Sequence, residues 1–325
     1  MSNRDHCQLR TAALVALLFL PLCSHGEAQQ TRETVSFARE YRGKPIQVTG
    51  QLLLPGGTGK VPAMVIQHGS GGVKEAHEFR YAREMVAMDV AALVLDAFKP
   101  RGITSTVNDQ SAVTDQEMTD DAFAALKALA AHPRIDSARI GIFGFSKGGS
   151  VALLTAHERR ARGALPSGLR FALHVPFYPP CGIQYFQPKT TGAPIYMLIG
   201  GADTYVGVTP CTEYADKLKA EGARIEVKIY PGAQHGYDGD LAFKNAKGEN
   251  YSRCIFEQQP DGSWKERTSG QATTDQQGRR IEAGFKSAVA ACRTYGISGG
   301  PNAAARAASM SDLKATVRRH LLDGK

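Results

Sequence analysis

Six short apolar runs punctuate the middle of this chain, at residues 62–67, 91–96, 140–144, 171–175, 195–200 and 225–230. Each is continuous rather than alternating, and glycine or proline bounds most of them. Strands buried on both faces have this pattern, because neither face can carry polar side chains. Between the runs lie stretches of helical periodicity at 76–88, 115–131, 148–160 and 212–222. Alternating buried strands and helices predict an α/β fold, a mostly parallel sheet covered by helices on both faces. Two earlier segments, 34–39 and 46–54, are rich in β-branched and apolar residues and flank the turn Arg42-Gly43-Lys44. They are expected to add an antiparallel N-terminal edge to that sheet.

The ends read differently. Residues 12–22 (AALVALLFLPL) follow a weakly basic start and precede the small residues Gly26 and Ala28. That run is too short to span a bilayer, so 1–28 is expected to be a signal peptide cleaved after Ala28, with no stable membrane insertion afterwards. The protein is then periplasmic or secreted, and 29–325 forms one domain. Within it, 238–279 is polar, contains the turn signal Pro260-Asp261-Gly262, and reads as an insert before a closing helix at 281–295. Residues 297–310 (SGGPNAAARAASMS) read as a flexible connector to a terminal helix at 312–322, within the C-terminal segment 297–325.

The net charge of +8 comes from scattered Lys and Arg. No basic cluster interleaved with aromatics marks a nucleic-acid groove, so no nucleic-acid partner is expected. The cysteines left after export, Cys181, Cys211, Cys254 and Cys292, show no zinc-ligand spacing, and no metal site is expected. An even set in an exported chain points to two disulfides, for which three pairings are possible. Cys181 and Cys211 follow successive strands toward one sheet edge, while Cys254 lies in the insert and Cys292 late in the closing helix. The expected bridges are therefore Cys181–Cys211 and Cys254–Cys292.

Gly144-Phe145-Ser146-Lys147-Gly148 joins the run at 140–144 to an apolar helical stretch. Gly-x-Ser-x-Gly between strand and helix is the nucleophile elbow of the α/β-hydrolase fold. A serine hydroxyl is a weak nucleophile and needs a base oriented by a third group. In this fold the acid follows the serine and the base comes last. Asp203, after the run at 195–200, and His235, after the run at 225–230, occupy those slots. Asp238 is the competing carboxylate and reads as a local loop contact. The oxyanion of an acyl-transfer intermediate needs two preorganised N–H donors. Lys147 supplies one from its backbone. The loop His68-Gly69-Ser70-Gly71-Gly72 supplies the other, from Ser70 with Gly71 as second choice. His68 precedes the nucleophile and reads as a loop-shaping residue.

Taken together, His68-Gly-x-Gly-Gly72, Asp96-Ala-Phe-Lys-Pro-Arg-Gly102, Arg139-Ile-Gly-Ile-Phe-Gly-Phe-Ser-Lys-Gly-Gly149, Gly201-Ala-Asp203 and Pro231-Gly-Ala-Gln-His-Gly236 resemble the dienelactone hydrolase family. The resemblance runs from about residue 45 to 238 and over the closing helix, and omits the insert and tail. It implies a cofactor-independent hydrolase of small ester or lactone substrates, with Ser146 where the family's namesake has cysteine. The loop 96–102 follows a strand on the catalytic edge, so Phe98, Lys99 and Arg101 are expected to line the pocket, with a loop-bracing ion pair as the other role for Arg101. Two further readings stand beside the esterase: a serine peptidase or amidase using the same triad, and a non-catalytic binding protein on the same scaffold.

Overall fold

The computed structural model describes residues 30–323; the expected signal peptide lies outside them. The chain opens with a hairpin of β1 (Thr31–Tyr41) and β2 (Lys44–Leu54), then β3 (Val61–Gln67), α1 (Glu78–Val86) and β4 (Ala91–Asp96). Next come α2 (Asp115–Ala131), β5 (Ile135–Phe145), α3 (Lys147–Leu154), α4 (Glu158–Ala164) and β6 (Leu173–Phe177). After the short β7 (Ile183–Gln184) follow β8 (Ile195–Gly200), α5 (Thr209–Ala220) and β9 (Ile225–Tyr230). The chain ends with β10 (Phe243–Asn250), β11 (Phe256–Gln258), β12 (Trp264–Glu266), β13 (Ala272–Thr274), α6 (Glu282–Cys292), β14 (Thr294–Gly299) and α7 (Ala303–Val317).

Eight strands form the main sheet in the order β1-β2-β4-β3-β5-β6-β8-β9. β1, β2 and β4 pair antiparallel, and every pair from β4 to β9 is parallel. The two-residue period of a strand divides the core. Ala63 and Val65 of β3 face α2 and α3, whereas Met64 and Ile66 face α1 and α7. A third cluster packs Ile195, Met197 and Ile199 of β8 against Tyr214, Ala215 and Leu218 of α5. Helix α2 starts where its sequence dictates: Thr114 and Glu117 form a reciprocal capping box. The stretch expected as one helix at 148–160 is instead two, broken before α4, with His157 extended at its N-cap. No helix among the described residues is long and apolar enough to cross a membrane.

Two readings of the C-terminal third need correction. Residues 297–310 are not a flexible connector. β14 runs to Gly299 on β10, and α7 begins at Ala303, capped by the Asn302 side chain. The small residues serve close packing and helix propensity: a Cβ at Gly299 would lie 2.1 Å from the His235 carbonyl oxygen, and alanine is the strongest helix former. Nor does the helix expected at 281–295 close the main core. Helix α6 ends at Cys292, buries only Ala288 and Cys292, and packs against β13. Helix α7 and the turn after it close the core, burying Ala305, Leu313, Val317 and Leu321.

The polar excursion folds into a small sheet, β13-β12-β11-β7, with Pro260-Asp261-Gly262 between β11 and β12. One of two disulfides, Cys254–Cys292, joins the excursion to α6, and the other, Cys181–Cys211, joins the approach to β7 to α5. Cys181–Cys211 has a Cα separation of 5.0 Å and Cys254–Cys292 one of 4.9 Å. They close loops of 30 and 38 residues, each worth about 3–4 kcal/mol in a chain-entropy account.

Candidate active site

β5 ends inside the sheet, and the chain reverses sharply into α3, leaving Ser146 at φ 54°, ψ −116°. Positive φ is costly for a residue with a Cβ and persists only where the surroundings enforce it. Crowding enforces it here. A Cβ on Gly148 would lie 2.2 Å from the Gln67 carbonyl oxygen, and one on Gly144 2.3 Å from that of Gly148. Glycine at both positions lets strand, turn and helix interlock and presents the serine hydroxyl above the sheet edge.

The loops after β8 and β9 bring the other two groups to it. His235 Nε2 lies 2.8 Å from Ser146 Oγ, and His235 Nδ1 lies 2.7 Å from Asp203 Oδ2. A carboxylate oxygen only accepts, so Nδ1 carries a proton and Nε2 is left to accept from the serine hydroxyl. The other Asp203 oxygen, Oδ1, accepts from the Tyr205 and Val206 amides at 2.9 and 3.1 Å. Burial alone would raise the Asp203 pKa. The opposing His235 charge and its hydrogen bond, helped by those two amides, hold it below the ordinary carboxylate value. Tyr178 and Tyr205 pack their rings edge-on to the His235 imidazole, at 4.8 and 4.6 Å.

The glycine-rich loop after β3 lies directly on the elbow: a Cβ at Gly69 would be 3.5 Å from Ser146 Cβ. Among the described residues, the backbone N–H groups of Ser70, Gly71 and Lys147 donate to no backbone carbonyl. His68 is buried, with Nδ1 at 2.8 Å from the Gly69 carbonyl, while its Nε2 accepts from the Ala97 amide at 3.2 Å. Its pKa is lowered by burial, and it fastens the loop to the start of the segment 97–102.

The three residues expected to line the pocket do not. Asp96 Oδ1 accepts from the Phe98 and Lys99 amides and closes a tight turn there, and none of the three residues lines the cleft that holds Ser146. Phe98 is buried edge-on against His68 at 4.4 Å, and Lys99 is exposed outside the cleft. Arg101 forms a two-pronged pair with Asp121 of α2, at 2.7 and 3.1 Å, both side chains fully buried. Its role is the loop-bracing one. The cleft over Ser146, about 2030 Å³, is walled near the serine by Ser70, Gln110, Lys147 and Tyr205, and farther out by Tyr185 and Trp264. Its outer wall belongs to the small sheet, whose contribution had no local signature in the sequence.

Asp238 is not a local loop contact. Its carboxylate is fully buried and accepts from Tyr178 Oη at 2.6 Å and Tyr81 Oη at 2.7 Å, with His77 Nε2 at 2.9 Å. Burial would lower the pKa of His77, but the charge and hydrogen bond of Asp238, with help from Glu78, raise it to about 10. Burial would likewise raise that of Asp238, yet His77 and the two phenols hold it down to about 2. This pair ties the loop carrying His235 to α1 and to the end of β6.

Residues 48–254 match the dienelactone hydrolase family. A Bradyrhizobium sp. protein named "Probable 2-oxo-3-(5-oxofuran-2-ylidene)propanoate lactonase" is 26% identical over 204 residues, 55% of this chain and 75% of that protein. "Uncharacterized peptidase YtmA" of Bacillus subtilis (strain 168) is 31% identical over 124 residues, 38% of this chain and 46% of that protein. Among solved structures, the dienelactone hydrolase-like promiscuous phosphotriesterase P91 from metagenomic libraries is 18% identical with a TM-score of 0.52. That match covers 90% of this chain and 98% of the other, and the likeness is one of fold.

Proposed function

Because the chain belongs to the dienelactone hydrolase family, we propose that it is a serine hydrolase cleaving carboxylic esters or lactones through an acyl-enzyme. The observation that carries this reading is the continuous line Ser146 Oγ, His235 Nε2, His235 Nδ1, Asp203 Oδ2, with steps of 2.8 and 2.7 Å across the imidazole. Ser146 Oγ attacks the substrate carbonyl while His235 Nε2 takes its proton. The carbonyl π electrons move to oxygen, and the Ser70 and Lys147 amides receive the oxyanion. Collapse expels the alkoxide, which takes the proton back from His235. Water, deprotonated by the same nitrogen, then releases the acid and restores Ser146. Asp203 keeps the imidazole in one tautomer and stabilises the imidazolium.

A fluorophosphonate probe should label Ser146 stoichiometrically, and p-nitrophenyl esters or lactones should turn over faster than peptide anilides. Preferred anilide turnover would move the reading to a peptidase, and absence of both labelling and turnover to a binding protein. The cleft exceeds the roughly 300–1,000 Å³ of an ordinary small-ligand site, which favours substrates bulkier than short acyl esters.

Export belongs to the same proposal, supported by the two disulfides, which persist in oxidising compartments. N-terminal sequencing of protein from the producing cell should find a mature chain starting near Gln29. A chain starting at Met1 in the cytosol would overturn this.

A further inference from the structure

Between the loop bearing His235 and the closing helix, the chain detours through β10 and returns through β14, which pair as an antiparallel ribbon. The ribbon reaches the site at two points. The Gly300 amide, just past β14, donates to the His235 carbonyl at 3.1 Å. On its other side, β10 holds the loop between β4 and α2: Asn245 Nδ2 donates to Asn108 Oδ1 at 2.9 Å, and the Gln110 amide donates to Glu249 Oε2 at 3.3 Å. Glu249 is nearly buried, and Arg293, beside the disulfide at Cys292, fixes its second oxygen at 2.7 Å.

Gln110 lines the cleft, and the side chains of both oxyanion residues converge on it. Its Oε1 accepts from Ser70 Oγ at 3.1 Å and Lys147 Nζ at 3.3 Å, and its backbone carbonyl accepts from Lys147 Nζ at 2.8 Å. The Lys147 amide is aimed by the start of α3. The Ser70 amide lies among Gly69, Gly71 and Gly72, which leave the backbone directions open. The residue is held from the loop that carries Gln110: the Ser70 carbonyl accepts from the Thr106 amide at 2.8 Å and from Ser105 Oγ at 3.1 Å. An oxyanion donor acts only when held about 2.7–3.1 Å from the developing charge. Something outside the glycine-rich loop must hold it.

We propose that Gln110 is a positioning residue for the oxyanion site, and that the β10–β14 ribbon, through Glu249, holds it there. The proposal rests on the serine-hydrolase reading above. It gives the C-terminal excursion a role in the chemistry as well as in walling the cleft, since one ribbon braces both the loop of the base and the loop whose Gln110 holds the oxyanion residues.

The test is the pair of variants Gln110→Met, which keeps the side-chain length and removes the side-chain acceptor, and Glu249→Gln, which weakens the hold while keeping the size and shape of a residue that also lines the cleft. Steady-state kinetics on the best ester is run beside inhibition by phenylboronic acid, whose serine adduct is tetrahedral and places an oxygen in the oxyanion site. Gln110→Met should lower kcat about 10- to 100-fold, a fraction of the loss of a whole donor. KM should stay within about twofold, the pattern of an interaction made only in the transition state. Boronate affinity should fall by a factor similar to kcat, a coupling that mere loss of packing would not produce, and Glu249→Gln should shift both in the same direction by less. If both variants keep wild-type kcat and boronate affinity, or if kcat falls while boronate binding is untouched, the proposal is wrong. Should Gln110→Met fail to fold, Glu249→Gln decides alone by the same two readouts. A wild-type protein that neither reacts with a fluorophosphonate nor hydrolyses any ester would instead refute the hydrolase reading beneath it.

Discussion

Ser146→Ala should leave a folded protein whose ester turnover is lower by about 10⁴- to 10⁶-fold, as removal of a triad nucleophile does elsewhere. Ser146 supplies the protein atom that would form a bond to the substrate, and its small, partly buried side chain stabilises little, so melting should be unchanged. His235→Ala should be about as severe. The double variant should be little worse than either, because the two residues act as one unit and their losses do not add. Asp203→Asn should cost about 10⁴-fold by favouring the wrong tautomer of His235. Turnover of a chromogenic ester, with active-site titration to exclude contaminating wild-type enzyme, measures all four. Near-wild-type turnover by Ser146→Ala would remove the proposed mechanism.

Asp238→Ala should destabilise the protein by about 3–5 kcal/mol, the cost of breaking a buried pair by deleting one partner. Two buried phenols and His77 lose their acceptor together. The loss should depend on pH in a definite sense. Asp238 is depressed from 3.8 to about 2, so its contribution is complete above its unfolded value and disappears as pH falls from about 4 to 2. His77 is raised from 6.5 to about 10, so its contribution is complete below its unfolded value and disappears as pH rises from about 6.5 to 10. The stability gap between wild type and variant should therefore be widest between about pH 4 and 6.5 and narrow on both sides. Urea melts at acid, intermediate and alkaline pH would show it. A gap that is flat across that range would mean that packing alone accounts for the loss.

How much of this could be read from the chain depended on the range of each interaction. Buried strands announce themselves through uninterrupted apolar runs, and α2 through its capping box, because both signals lie within a few residues. The convergence of Ser146, Asp203 and His235 at one place and the disulfide partners were legible for a related reason. Parallel strands deliver their following loops to one sheet edge, so position along the chain maps onto position in space. Side-chain direction within a loop has no such map. The segment 97–102 sits beside the catalytic edge as expected, yet Asp96 turns it and Asp121, contributed by α2, claims Arg101. Asp238 looked like a neighbour of His235, whereas its partners come from α1 and the end of β6. The glycine- and alanine-rich stretch after residue 297 looked slack because small residues permit both disorder and close contact. Only the packing of β14 onto β10 and against the His235 carbonyl decides between the two, because a glycine's lack of a side chain says nothing about what fills the space beside it.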